Sequence, residues 1–255
     1  WITGASSGIG EELARQLATF GAQLVLSARN QEKLSTLKAS LTKPENHLVL
    51  PLDLAEIAHA DALVEHIIHR YGRIDILINN GGVSQRASAN DTSMEVNRQL
   101  MEVNFFGNIA LAKAVLPIFR AQKSGQYLVI SSIAGKFGFH LRSIYSASKA
   151  ALVGYYESLS MEEAAHGICV TIAFPGKINT PISTSALTAS GEAHGVMDHN
   201  QATGMSVEKC VAQMLDALAH QKKEVLIGGK ELLAVYMKRF LPRLFWKIIP
   251  KQSAT

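Results

Sequence analysis

The sequence predicts an α/β fold in which a doubly wound parallel sheet lies between two helical layers, a three-layer α/β/α single domain over residues 1–255. Three observations carry this. Short apolar runs alternate with longer segments whose apolar residues recur at helical spacing, and βα alternation builds a parallel sheet covered on both faces. A glycine-rich turn follows the first apolar run. The chain has 255 residues, 47% of them hydrophobic, with no second composition regime, which suits one large core.

The first strand is represented by its end, Trp1-Ile2, so the chain is read as beginning after its natural N-terminus, with any upstream signal or anchor out of sight. The first helix, Gly8 to Phe20, presents Leu13, Leu17 and Phe20 on one face. Further helices are expected over Gln31 to Leu41, Ala55 to Tyr71, Thr92 to Gln122, Ile144 to His166 and Val207 to His220. The intervening strands are Gln23 to Ser27, His47 to Leu52, Ile74 to Ile78, Gln126 to Ser131, Cys169 to Phe174 and Glu224 to Ile227. Residues 181–205 lack periodicity and follow a Pro-Gly turn, the expected place of a substrate lid, and His194 and His199 lie in it. Residues 231–255 form a basic and aromatic tail, whose Pro242 should interrupt a continuous helix.

The chemistry begins in Thr3-Gly4-Ala5-Ser6-Ser7-Gly8-Ile9-Gly10, between the first strand and its helix. Glycines allow a tight turn and close approach of a pyrophosphate, which then rests on the N–H groups at the positive end of the helix. This order of strand, glycine turn and helix makes the fold Rossmann-like. The second strand should end beside the adenosine ribose, where a carboxylate would repel a 2′-phosphate. The sequence there is Ala28-Arg29-Asn30, so Arg29 favours NADP, as NADPH in reduction, over NAD. Asp53, at the end of the third strand, either bonds the adenine amino group or caps the next helix. Tyr145 and Lys149, four residues apart, share one helix face. Bringing a phenol from near pH 10 to neutrality takes roughly 4 kcal/mol of preferential stabilisation of the anion, and Lys149 is placed to supply part of it.

These motifs, in this order and spacing, resemble the short-chain dehydrogenase/reductase family over nearly the whole chain. The family's Asn-Asn-Ala-Gly element appears as Asn79-Asn80-Gly81-Gly82, one methyl short, with Asn80 and Gly81 at the adenosine side. The resemblance implies a catalytic tetrad of Asn104, Ser132, Tyr145 and Lys149, with Ser132 preferred to Ser131 because it lies thirteen residues before Tyr145. It also implies that Gly4, Ser6, Ser7, Gly8, Ile9 and Gly10 hold the cofactor phosphates. Tyr145 and Lys149 would reach the nicotinamide ribose, and the turn Pro175-Gly176-Lys177-Ile178-Asn179-Thr180 would hold the carboxamide through Ile178 and Thr180. Lys177 stands where the family often has an aromatic or small apolar residue. Gly195-Val196-Met197-Asp198 is similar to the dehydrogenase/reductase member 7 branch, related to the type 1 11β-hydroxysteroid dehydrogenases. The implied activity is NADP(H)-dependent hydride transfer between nicotinamide and a hydrophobic ketone, aldehyde or secondary alcohol, steroid-, retinoid- or lipid-like. The other classes to be separated from it are a nucleotide-binding regulatory protein and a membrane adaptor.

Cys169 and Cys210 give neither a disulfide framework nor a metal spacing, and His59, His66 and His69 lack a carboxylate cluster, so no metal is expected. No stretch reads as a membrane-spanning helix of about 18 to 20 apolar residues. The net charge of +4 comes largely from the tail, which leaves no dispersed basic face for nucleic acid. From Tyr236 to Lys251 the tail carries five basic residues and no acidic ones. It either lies in a membrane interface or packs as a dimer or pocket-covering helix. A cytoplasmic location, free or associated with a membrane, is expected, and the family resemblance implies a homodimer or homotetramer formed through the two long helices.

Overall fold

The computed structural model describes residues 1–251, so the end of the tail, 252–255, lies outside the described residues. In chain order the elements are β1 (Ile2–Thr3), α1 (Gly8–Thr19), β2 (Val25–Ser27), α2 (Gln31–Ser40), β3 (Leu48–Val49), α3 (Ala60–Tyr71) and β4 (Ile76–Asn79). Next come α4 (Met94–Met101), a π-helical turn (Glu102–Phe106), α5 (Gly107–Gln122), β5 (Gly125–Ile130), α6 (Ser143–Glu162) and β6 (Ile168–Pro175). The chain continues through α7 (His199–Ala202), α8 (Val207–Ala219), β7 (Glu224–Ile227), α9 (Leu233–Phe240) and α10 (Pro242–Ile248). The seven strands form one parallel sheet in the order β3-β2-β1-β4-β5-β6-β7.

Side chains alternate across a strand, so each strand feeds two cores. Tyr127 and Val129 of β5 join α3, α5 and α6 on one face, where Val64, Leu111, Phe119 and Tyr156 are buried. Leu128 and Ile130 join α1, α2 and α8 on the other, with Leu13, Leu34 and Met214. The order reverses at β1, whose neighbours are β2 and β4, and the carboxyl ends of the strands open there into a crevice, the usual ligand site of such sheets.

The expected elements are all found, with instructive shifts at their ends. Helix α3 starts at Ala60 and not at Ala55, because Asp53 Oδ1 accepts the Ala55 N–H at 2.9 Å and turns the chain before the helix begins. The expected helix Thr92 to Gln122 starts at Met94, capped by Ser93, and widens through the π turn. That 29-residue run is also long and apolar enough to cross a membrane by length and composition, contrary to the reading of the sequence. Its apolar face, with Leu100, Leu111, Val115 and Phe119, is buried within this fold. Helix α6 stops at Glu162, and a 3-10 turn carries the chain to Gly167, which takes the left-handed conformation at φ 73°. Ladder assignment shortens the third strand to two residues, yet backbone bonds from Leu50 to Leu26 and from Leu52 to Ala28 continue the pairing. Pro242 separates α9 from α10 as expected.

The missing methyl at Gly81 leaves no void. A Cβ there would lie 2.6 Å from Leu54 Cδ1, so the leucine tip occupies the space. Gly107 differs, since a Cβ would meet the Leu54 carbonyl oxygen at 2.1 Å, backbone against backbone. Gly107→Ala is therefore expected to lower stability by roughly 1–3 kcal/mol, while Gly81→Ala, absorbed by a rotation of Leu54, changes it by about 1 kcal/mol or less. Urea denaturation midpoints of the two variants check this ordering.

Candidate active site

The glycine turn and three of the four catalytic candidates, Ser132, Tyr145 and Lys149, line one cleft of about 870 Å³ at the carboxyl ends of the strands, with Asn104 buried behind it. Gly4 and Gly8 have φ of 64° and 56°, and a Cβ on Gly10 would sit 2.2 Å from the Gly4 carbonyl oxygen, so only glycine lets the helix start so close to the strand. Ser7, the residue before α1, makes no side-chain cap, which leaves the first N–H groups of the helix directed into the cleft beside Ser6, Gly8 and Ile9. Asn80 braces the turn from β4, its Nδ2 donating to Thr3 O and Gly4 O at 3.0 and 3.2 Å. This cradle of free donors and glycines fits a pyrophosphate.

Arg29 is exposed at the β2 end and lines the adenosine part of the cleft, together with Lys33, one turn into α2, which sequence reasoning missed. Asn30 Oδ1 accepts the Lys33 N–H at 2.9 Å and caps α2, so both cations stand on a fixed turn. Asp53 is half-buried on the same wall, and the carboxylate oxygen that bonds Ala55 is already engaged in the local turn.

On the opposite wall, Ser131 and Ser132 end β5. Ser131 Oγ donates to the Lys149 carbonyl oxygen at 2.9 Å and has a structural task. Ser132 Oγ accepts from Ala134 N–H at 3.1 Å, donates to Pro175 O at 3.3 Å, and stands beside the Tyr145 phenol, which its one proton favours as phenolate when turned from Pro175 O to the phenol oxygen. The choice of Ser132 by spacing agrees with this geometry. Burial is the larger influence on Tyr145 and raises its pKa, with Ser132, Arg142 and Arg86 pulling the other way. Lys149, expected from sequence to supply that pull, is not among these causes in the free protein, and its Nζ lies 6.0 Å from the ring centre. Lys149 Nζ itself is buried, donates to Ile130 O at 2.9 Å, and has its pKa lowered to about 8 by loss of solvent. Gly82, also missed, makes room for the Asn104 amide, since a Cβ there would be 2.9 Å from Asn104 Oδ1.

Asn104 is fully buried in the π turn, a local widening often found at functional sites. Its side chain clamps Val83 through both backbone groups, at 2.8 and 2.9 Å, and donates to Ser148 Oγ at 3.0 Å. Its carbonyl oxygen accepts from Asn108 Nδ2 at 2.9 Å. Asn104 thus ties the loop after β4 to α6 at the residue before Lys149.

Ile178 is buried and bridges Met205, and Thr180 packs on the glycine turn, its Cγ2 being 3.3 Å from where a Gly8 Cβ would lie. Gly176 meets Glu231, whose Oε1 accepts the N–H of Lys177 at 2.9 Å and of Gly229 at 3.0 Å, a clamp from the tail that sequence reasoning missed. Lys177 turns away from the apolar walls to donate to Asn200 Oδ1 at 2.6 Å. His199 is exposed, as are His59, His66 and His69, and no cluster suited to a metal occurs among the described residues.

A sequence model described as short chain dehydrogenase matches residues 1–190. The chain belongs to the short-chain dehydrogenase/reductase family. It is 39% identical over 263 residues to dehydrogenase/reductase SDR family member 7B of Xenopus laevis, covering 99% of this chain and 80% of that one. It is 40% identical over 262 residues to dehydrogenase/reductase SDR family member 7 of Homo sapiens, covering 99% and 77%. Among solved structures, a short-chain dehydrogenase from Streptomyces avermitilis superposes with a TM-score of 0.81 at 29% identity, covering 98% and 96%. Membership makes this protein an oxidoreductase of the short-chain type that uses a nicotinamide cofactor.

Gly10→Ala is expected to weaken binding of the reduced nicotinamide cofactor at least tenfold, because the added methyl must displace the Gly4 carbonyl beside the proposed phosphate cradle. Titration of NADPH fluorescence measures it, and unchanged affinity would remove the glycine turn from the cofactor site.

Proposed function

We propose that this protein is an NADP(H)-dependent reductase of hydrophobic ketones and aldehydes, of steroid, retinoid or lipid type, that also runs in the direction of alcohol oxidation. The observation that carries this is the convergence of a buried phenol, a hydroxyl and a buried ammonium in one cleft opposite the glycine turn. Ser132 holds the substrate carbonyl oxygen. Tyr145, kept as neutral phenol by burial, donates its proton to the oxygen as the carbonyl carbon is reduced. The nicotinamide, when bound, supplies the hydride. Lys149 donates to the ribose hydroxyls and favours phenolate once the proton has left, and Asn104 fixes the loop and helix between which both act. The apolar walls formed by Val83, Phe139 and Ile182 support a hydrophobic substrate.

Preference for NADP rests on Arg29 and Lys33, two cations at the ribose end without a carboxylate at the strand end. The tail is proposed to touch a membrane surface. Phe245 anchors it in the core at 5.3 Å from Phe137, while Phe240, Leu241 and Trp246 stay exposed among Lys238, Arg239, Arg243 and Lys247. Homo-oligomer formation through α5 and α6 remains the proposal that the family resemblance motivates.

Tyr145→Phe should lower NADPH-dependent turnover by about 10²–10⁴ across steroid, retinoid, acyl-chain and aromatic carbonyls with cofactor binding retained. Arg29→Ala should weaken NADPH about tenfold and leave NADH unchanged. Full activity in the phenylalanine variant would overturn the acid assignment, and a wild type that binds NADPH yet turns over nothing would favour a regulatory, non-enzymatic role. Equal loss of NADPH and NADH in the Arg29 variant would overturn the NADP preference.

A further inference from the structure

A buried charged cluster joins the lid to the entrance of α6. It consists of Arg86 in the loop after β4, Arg142 immediately before α6, and Asp198 in the lid. Asp198 Oδ2 accepts from Arg86 Nε at 2.9 Å, from Arg86 Nη2, and from Arg142 Nη2 at 3.0 Å. The Arg86 and Asp198 side chains are 2% and 1% exposed. Arg86 Nη1 also donates to Ser84 Oγ at 2.9 Å and Gln85 O at 2.6 Å. Two guanidinium groups repel at this range, and the carboxylate between them is what lets both stay buried.

Backbone bonds run the same way as the ion pairs. Leu187 of the lid pairs with the 84–86 loop through Leu187 N–H to Ser84 O at 2.9 Å and Arg86 N–H to Leu187 O at 2.8 Å. That loop pairs in turn with the helix entrance through Ala87 N–H to Leu141 O at 3.2 Å. Gln85 Oε1 accepts the N–H groups of Ile144 at 3.0 Å and Tyr145 at 3.4 Å, capping the first turn of α6 from outside the helix. Lid, loop and catalytic helix therefore meet at the cluster.

We infer that Asp198 is a positioning residue that docks the lid onto Arg86 and Arg142 and thereby couples enclosure of the substrate to proton donation by Tyr145. This rests on the reading of Tyr145 as the acid. The groups that act on the phenol are Ser132 from the β5 end and the two arginines, Arg142 and Arg86; Lys149 on its own helix stands 6.0 Å from the ring centre, and Asp198, with His194 3.9 Å from it, reaches the phenol only through the arginines it binds. Both arginines favour phenolate. With the lid docked, one carboxylate offsets two guanidinium charges. With the lid away, both are unneutralised and favour the phenolate more strongly, so the pH up to which the tyrosine keeps its proton falls. Asp198 Oδ1 is buried without a hydrogen-bond partner, and His194 Nε2 stands 3.9 Å from it. The carboxylate is thus held for its charge and its grip on the arginines through one oxygen.

The test is the pH dependence of kcat/KM for NADPH-dependent reduction in wild type, Asp198→Asn, Arg142→Met and Arg142→Lys, whose high-pH limb reports loss of the phenol proton. Asp198→Asn is expected to move the limb down by about half to one pH unit, and Arg142→Met to move it up by a similar amount. Arg142→Lys, which keeps the charge, should stay near wild type. In Asp198→Asn, kcat should fall on the order of tenfold with NADPH affinity unchanged, and hydrogen exchange over residues 184–199 should accelerate. Limbs that coincide, or that move the same way in Asp198→Asn and Arg142→Met, would overturn the coupling. If Asp198→Asn does not fold, the contrast between the two Arg142 variants decides. Tyr145→Phe separates the two claims: retained turnover defeats the acid assignment itself, whereas lost turnover with unmoved limbs defeats only the role of Asp198.

Discussion

A lysine ammonium buried where β5 meets α6, with one carbonyl to hold it, is the constraint on which the site depends. Lys149 has no carboxylate partner, and its burial brings its pKa to about 8 from 10.5. Below pH 8 the group is charged in both folded and unfolded chains, so the folded protein bears the full penalty, roughly 3 kcal/mol. The penalty shrinks as pH rises from about 8 toward 10.5 and vanishes above. Lys149 lines the cleft, and under the proposed function the spare donors of this buried ammonium go to the ribose hydroxyls of the cofactor.

The surrounding structure keeps that lysine and the tyrosine on its helix in place. Ser131 holds the Lys149 carbonyl, Ser148 Oγ joins the Tyr145 carbonyl to Asn104, and Asn104 holds Val83. Gln85 caps the helix start. The catalytic helix is gripped from β5, from the π turn and from the loop after β4, so rigidity comes from three elements and not from helix propensity. Gly82 lets the loop approach the Asn104 side chain, and Leu54 fills the place of the methyl missing at Gly81. The same economy appears at the Pro175–Thr180 turn, which Glu231 clamps from the tail and Met205 pairs from residues 181–205.

Much of this was legible in the sequence, because helical and strand periods report which faces are buried. The glycine turn, Tyr145, Lys149 and the choice of Ser132 over Ser131 follow from local spacing. The start of α3 was misplaced by five residues because Asp53 bonds its own chain before the helix begins, a competition that apolar spacing does not record. The π turn at Asn104 depends on packing against Val83 and was not visible. Arg86 and Asp198 stand 112 residues apart, and nothing local announces their pairing. Lys33 did carry a signal, a cation one helical turn beyond Arg29 on the element that follows the ribose strand.

Net proton uptake when the reduced nicotinamide cofactor binds, measured calorimetrically slightly above pH 8 in buffers of different ionisation heat, tests the proposed role of Lys149 most directly. If cofactor hydroxyls complete the bonding of the buried ammonium, its pKa rises on binding and the complex takes up a substantial fraction of a proton, a signal that disappears in Lys149→Met. No uptake, or equal uptake in Lys149→Met, would contradict the account.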